Sequence, residues 1–279
     1  LYDPSYFAAA TAWARDAAKA AKDRIAAWSS VNDGDQGGAP RGHACSEALG
    51  RSPAPESVTL FVPLAGRTGL WPRFAQFLEA QQWPHDRTRL VLFDTSHDAG
   101  FSALVRNWLA SCDYADVRHV RAQVGPAGLA DQPRLAALDE VRWAMTRIYN
   151  WMAREATTDY VWVVEDDVLP PVDACERLLR AFDADTASIT GVYPSRWRDG
   201  FVVWEANQRK YTRRGQGVQR VGGNGFGCVV LRGDVLRGTV FVATVDHPAY
   251  DNAFYHRLGA TGLAAQVDWS VECEHRTEG

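Results

Sequence analysis

One stretch constrains this chain more than any other: Tyr160-Val161-Trp162-Val163-Val164-Glu165-Asp166-Asp167-Val168-Leu169-Pro170-Pro171. A short β-branched and aromatic run leads straight into consecutive carboxylates, and a proline pair then stops it. A run of this kind suits a strand buried on both faces of a parallel sheet. Carboxylates at its C-terminal end would lie where open α/β sheets bind ligands, just beyond the strand ends. Adjacent acids repel one another unless a cation or hydrogen-bond donors neutralise them, so a hard divalent metal is their natural partner. A solvated acidic turn is the structural alternative, and the buried strand with its abrupt stop speaks against it.

The pattern around this stretch predicts a doubly wound α/β sheet. Val58–Leu64 reads as a strand, followed by a turn at Ala65-Gly66-Arg67-Thr68-Gly69 and a helix through Phe77 and Leu78. Further strands are expected at Arg89–Asp94, Val117–Val124, Ala187–Tyr193, Cys228–Arg232 and Leu263–Cys273. Helices are expected at Arg134–Ala156, Cys175–Phe182 and Tyr250–Leu258. Ser5–Trp28 reads as an Ala-rich amphipathic helix, and the Gly-, Pro- and Ser-rich chain from Ser29 to Glu56 as a linker. The expected division is therefore an N-terminal helix and linker, 1–56, and one α/β domain, 57–279.

Composition narrows the function. The 279 residues, 46% of them hydrophobic, suffice for one sizeable core. A formal net charge of −4 excludes a uniformly basic nucleic-acid binder but not a local basic patch. No run is long enough to insert in a membrane, and no secretory signal is evident. Cys45, Cys112, Cys175, Cys228 and Cys273 are odd in number and far apart in sequence. That fits reduced thiols in a cytoplasmic protein.

Taken together, these motifs resemble the nucleotide-sugar glycosyltransferases of the GT-A fold, above all the inverting family-2-like enzymes. The resemblance runs from about Ser57 to His275. Phe61-Val62-Pro63-Leu64-Ala65-Gly66-Arg67 looks like the nucleotide-binding opening, so Pro63, Ala65 and Arg67 are expected at the donor. Asp94-Thr95-Ser96-His97-Asp98 is similar to the acidic turn in which an Asp reads the base or ribose, which implicates Asp94. Glu165-Asp166-Asp167 looks like the metal-binding motif; by resemblance Asp167 and His275 hold the ion while Glu165 and Asp166 hold the ribose. Asp251 opens a helix resembling the one that carries the catalytic base, with Arg257 six residues later. The sequence departs from the pattern twice. Tyr250 stands before Asp251 where the family often has Glu, and Tyr149 before Asn150 where Arg is usual.

The expected reaction is inverting transfer of a sugar from a nucleoside diphosphate sugar to an acceptor hydroxyl. Mn²⁺ or Mg²⁺ would serve the leaving diphosphate. Asp251 would act as general base, with Asp246 and His247 a weaker alternative. Gly225, in Gly222-Gly223-Asn224-Gly225-Phe226-Gly227, would let backbone approach the donor sugar. From Tyr193 to Val221 there are seven cations (Arg196, Arg198, Arg209, Lys210, Arg213, Arg214, Arg220) against Asp199 and Glu205, a local +5. Trp197, Phe201, Trp204 and Tyr211 are interleaved with them, a composition that suits phosphates and stacked bases. Arg196, Trp197, Arg213 and Arg214 are therefore assigned to the acceptor. DNA carrying 5-hydroxymethylpyrimidine is the acceptor this implies, as for bacteriophage enzymes resembling this fold, which act inside the bacterial host cell. A carbohydrate or lipid-linked acceptor, a nucleotidyltransferase, and a non-catalytic binding protein are the alternatives.

Overall fold

The structure, a computed structural model, describes residues 57–124, 134–196, 199–242 and 249–276. The N-terminal helix and linker expected at 1–56, Trp197, Asp246 and His247 lie outside the described residues.

Strand β1 (Val58–Leu64) is buried along its whole length, as its unbroken apolar sequence requires. Helix α1 (Trp71–Glu79), with a proline in its first turn, leads to β2 (Thr88–Asp94). Asp98 caps α2 (Ala99–Leu109) by accepting the Gly100 N–H at 2.7 Å, and β3 (Asp116–Arg121) follows. Helix α3 (Arg134–Glu155) returns the chain to β4 (Tyr160–Val164), the apolar half of the acidic stretch.

Beyond the acids come β5 (Val168–Leu169), α4 (Ala174–Arg180), β6 (Thr186–Val192), β7 (Val203–Trp204), β8 (Val218–Val221) and β9 (Gly223–Asn224). Then follow β10 (Cys228–Arg232), α5 (Gly233–Arg237), α6 (Tyr250–Gly259), β11 (Ala264–Glu272) and β12 (Glu274–His275).

The main sheet has the order β3-β2-β1-β4-β10-β6-β11-β8. β10 runs antiparallel between β4 and β6, β8 is antiparallel to β11, and the remaining pairs are parallel. The expected doubly wound, mostly parallel α/β sheet is thus present. The chain leaves β1 toward β2 and β3 on one side and returns as β4 on the other. That reversal opens a crevice beyond the C-terminal ends of β1 and β4.

Alternation along the strands feeds two core layers. Leu60, Val62, Trp162 and Val230 face α1 and α4, while Phe61, Val161, Val163 and Val229 face α3 and α6. Cys228 and Cys273, distant in sequence, are buried in the same core layer. A two-stranded pairing of β12 with β5 sets His275 opposite Val168. The Arg276 N–H closes this pairing on the Asp167 carbonyl at 2.8 Å, which brings the end of the described chain back to the acidic cluster.

The basic, aromatic segment is organised differently from its reading as a nucleic-acid surface. Trp269 of β11, 1% exposed, is its hub. Phe201 and Tyr211 pack edge-on against that indole at 5.5 and 5.4 Å, and Trp269 Nε1 donates to Gln219 Oε1 at 2.7 Å. Trp204 is buried against Tyr255. Arg214 donates to the Trp269 carbonyl at 2.6 Å and pairs with Glu272, Arg209 pairs with Glu205, and Arg220 reaches Asp185 at 3.6 Å. Burying rings gains more than exposing them, so the aromatics form a small third core and the charges pair around it. Trp269→Ala should therefore cost about 3–5 kcal/mol in urea unfolding, the usual range for losing a buried large aromatic. A cost below about 1 kcal/mol would mean that Trp269 does not anchor this segment.

Candidate active site

The crevice at the β1/β4 reversal is a cavity of about 530 Å³. Pro63, Ala65, Arg67, Glu165, Asp166, Asp167, Arg196, Gly225, Asp251 and His275 all line it, so the structure brings together most of the residues singled out from the sequence.

One wall is charged. Asp166 Oδ2 accepts the Ala65 N–H at 2.8 Å and its other oxygen pairs with Arg67. Arg67 also reaches Asp167 Oδ2 at 2.8 Å. Burial pushes the Asp166 carboxyl up to about 6 even though Arg67 opposes the shift. Asp166 is thus held by the turn after β1 and stitches it to the end of β4. Asp167 is also buried; Arg196 joins Arg67 on its Oδ2, while its Oδ1 has no hydrogen-bond partner. His275 donates from Nδ1 to the Pro194 carbonyl at 2.7 Å, which leaves the Nε2 lone pair facing the cluster. That atom accepts from Arg196 Nε at 2.7 Å and lies 4.0 Å from Asp167 Oδ1. Burial lowers the His275 pKa and so favours the neutral imidazole.

The opposite wall is aromatic. Tyr149 of α3 and Tyr250 of α6 stack at 4.7 Å, and Phe226 stands edge-on to both. Both hydroxyls point at Glu165 Oε1, at 3.1 and 3.4 Å. Burial, aided by Asp167, raises the Glu165 carboxyl to about 7, so a hydroxyl clamp suits it better than it would a fixed anion. These tyrosines stand where the sequence departs from the family pattern. What the sequence did not show is that the two departures meet, aromatic against aromatic. A joint reading of both positions was the only signal available.

Asp251 sits in the first turn of α6, beside Gln208, Lys210 and Asn252 on the cavity rim. Its Oδ1 accepts the N–H of the next residue, Asn252, at 2.8 Å within that turn, while Ala249 holds the N-cap position. Arg257, six residues further on, donates to the Val240 carbonyl at 2.7 Å and does not line the cavity. At Gly225 an added Cβ would come within 2.6 Å of Tyr193 Oη and Val202, so only glycine lets the chain pass here.

Other sequence-derived candidates fall elsewhere. Asp94 is fully buried and absent from the lining, where its neighbour Thr95 takes part. Burial alone would raise Asp94, but hydrogen bonds from His119, Ser102 and Ser96 hold it near 2. Its carboxylate fixes the turn after β2. Arg213 is exposed, Arg214 lies on Trp269 and Glu272, and neither lines the cavity.

Residues 138–237 match the sequence profile of glycosyl transferase family 2. No curated protein matches this chain. Among solved structures, the chain is similar to a mannosyltransferase from Pyrobaculum calidifontis in complex with GDP-Man and Mn²⁺, at 16% identity and TM-score 0.57, covering 96% of this chain and 66% of that one. It is also similar to S. aureus TarS in complex with UDP-GlcNAc, at 10% identity and TM-score 0.55, covering 80% and 60%. A third is GalNAc-T7 with UDP, GalNAc and Mn²⁺, at 8% identity and TM-score 0.56, covering 79% and 44%. The chain therefore spans less than two thirds of these proteins' lengths. At such identities the likeness establishes the GT-A architecture.

Burial raises the Asp251 carboxyl to about 6, from 3.8 in open chain. The folded protein thus binds the proton more tightly than the unfolded one, and Asp251 costs stability as pH rises from about 4 through 6. Over that window Asp251→Asn should gain thermal stability relative to the wild type, with the difference constant above about pH 7. Melting temperatures recorded across pH 4–8 check this; parallel curves would place the Asp251 pKa near its ordinary value.

Proposed function

We propose that this chain is a nucleotide-sugar glycosyltransferase that moves one sugar from a nucleoside diphosphate to an acceptor hydroxyl, with inversion and with Mn²⁺ or Mg²⁺ as cofactor. The observation that carries this reading is a single cavity in which Asp251 shares the lining with Arg67, Asp167 and His275. It supports a base on one side and a diphosphate site on the other. The family 2 profile match and the GT-A architecture support the same reading.

The residues present fit a divalent ion. Asp167 Oδ1 is buried without a partner and His275 Nε2, the acceptor for Arg196, lies 4.0 Å from it, an O/N donor pair suited to Mn²⁺ or Mg²⁺. When bound there, the ion supplies Lewis-acid neutralisation of the leaving diphosphate. Arg67 and the Ala65 turn would hold the phosphates, with Pro63 and Thr95 toward the nucleoside. Glu165, kept by Tyr149 and Tyr250, would line the donor side. Asp251 takes the acceptor proton as the hydroxyl attacks the anomeric carbon from the face opposite the diphosphate. With Asp251 as the base and the carboxylates of Asp166 and Asp167 committed to Arg67 and the metal, the reaction is a single displacement and the product is inverted, by analogy with glycoside hydrolysis.

For the acceptor, the rim is a better guide than composition. Gln208, Lys210 and Asn252 around Asp251 offer the mixed donors and acceptors that a carbohydrate hydroxyl needs. Hydroxymethylated DNA is the weaker reading, since Arg214 is engaged within the protein and neither it nor Arg213 lines the cavity. Among the described residues no helix is long and apolar enough to cross a membrane.

Two variants test the assignment. Asp167→Ala should abolish metal-dependent binding of UDP- and GDP-sugars by calorimetry while leaving the melting transition cooperative. Donor affinity unchanged by EDTA would refute the metal's role. Asp251→Asn should keep donor affinity and lose about 10²–10⁴-fold in turnover, the usual contribution of a general base. Turnover within a few-fold of the wild type would place the base elsewhere.

A further inference from the structure

The two residues that suit a metal ion are bridged by one side chain. Arg196 donates from Nε to His275 Nε2 at 2.7 Å and from its terminal nitrogen to Asp167 Oδ2. Arg196 is 18% exposed at the side chain, and its hydrogen bonds among the described residues are these two. Arg67 differs. It is anchored on Asp166 as well as Asp167, at the rigid turn after β1. The charges around Asp167 are therefore supplied by one fixed guanidinium and one held only by the two candidate metal ligands.

A buried carboxylate needs a neighbouring cation, because a bare charge at low dielectric is strongly unfavourable. A divalent ion approaching Asp167 and His275 meets a positive charge already in place, and His275 Nε2 cannot accept from Arg196 and ligate at once. Displacing Arg196 into solvent would cost the free protein two charge-assisted contacts. A diphosphate changes this balance, since guanidinium pairs well with phosphate oxygens, often in bidentate fashion.

We propose that Arg196 is a stand-in cation for the metal site, and that on donor binding it leaves Asp167 and His275 to become a ligand of the donor's diphosphate. The inference rests on the metal-assisted reading above and adds a residue role to it. The sequence assigned Arg196 to the acceptor; its position beside Asp167 assigns it to the donor instead. The consequence is thermodynamic coupling. Metal alone binds weakly, nucleoside diphosphate strengthens it, and each strengthens the other by the same factor.

The test measures Mn²⁺ binding directly, by electron paramagnetic resonance of the free ion, with and without UDP or GDP. In the wild type, Mn²⁺ alone should bind weakly and either nucleotide should tighten it by about 5–150-fold, the ordinary range of coupling between sites. Arg196→Ala should bind Mn²⁺ alone at least about tenfold more tightly, and the coupling should shrink by the same order. Arg196→Lys keeps the charge without the fork and should fall between the two; it also guards against a folding defect in the alanine variant. Mn²⁺ binding by Arg196→Ala that is no tighter than wild type, with full coupling retained in both folded variants, overturns the proposal. Absence of Mn²⁺ binding from the wild type with either nucleotide overturns the metal-assisted reading itself, and the two failures are distinguishable.

Discussion

The structure depends on how carboxylates at the end of a buried strand are neutralised. Asp166 accepts a backbone N–H from the turn after β1 and pairs with Arg67 of that same turn. Removing one partner of such a buried pair typically costs about 3–5 kcal/mol. The ends of β1 and β4 are therefore one unit, and the crevice between them stays open because its polar groups satisfy each other across it. The β12–β5 pairing adds His275 to this unit through backbone hydrogen bonds, independent of any ligand.

The two walls of the cavity divide the work by material. The charged wall comes from strand ends, where backbone direction sets the side chains. The aromatic wall comes from α3, α6 and the loop carrying Phe226, where ring packing sets them; Phe226 alone touches Tyr149, Phe241, Tyr250 and Phe254 edge-on. Glu165 stands between, bound by uncharged hydroxyls on one side and electrostatically coupled to Asp167 on the other. Asp251 follows Tyr250 directly in the chain, so the stack that holds Glu165 also fixes the first turn of α6.

Much of this was legible in the sequence, and the reasons for success and failure are physical. β1, β2 and β4 are buried on both faces and carry continuous apolar runs, which a pattern reading finds directly. The acidic triplet was conspicuous because three charges after such a run need a purpose. His275 was placed through resemblance, while the β12–β5 pairing that positions it involves two residues from each strand and leaves no periodic trace. The segment from 199 to 221 was misjudged because composition counts rings and charges without saying which way they face. Phe201 and Tyr211 turn inward onto Trp269, far along the chain, and Trp204 turns inward onto Tyr255. Asp94 was expected at a ligand and is instead sealed among Ser96, Ser102 and His119, since acidic turns and capped turns share a sequence signature. Arg196 could not be told from its cationic neighbours until its partners were known.

The antiparallel β10 bears on how the protein is assembled during synthesis. Its residues 228–232 pair with 160–164 on one edge and with 188–190 on the other, so the sheet is two separate pieces until that strand has emerged. Pairings of such sequence separation are slow to form, because the intervening loop must be closed before any contact rewards it. A nascent chain ending near residue 227 would hold β4 with one unpaired edge and β6 with both edges unpaired, the exposure that chaperones recognise. The cavity walls on α6 and β12 come later still. The half-made protein thus has the acids but neither Asp251 nor His275, and the cavity lining is completed only as the last part of the described chain leaves the ribosome.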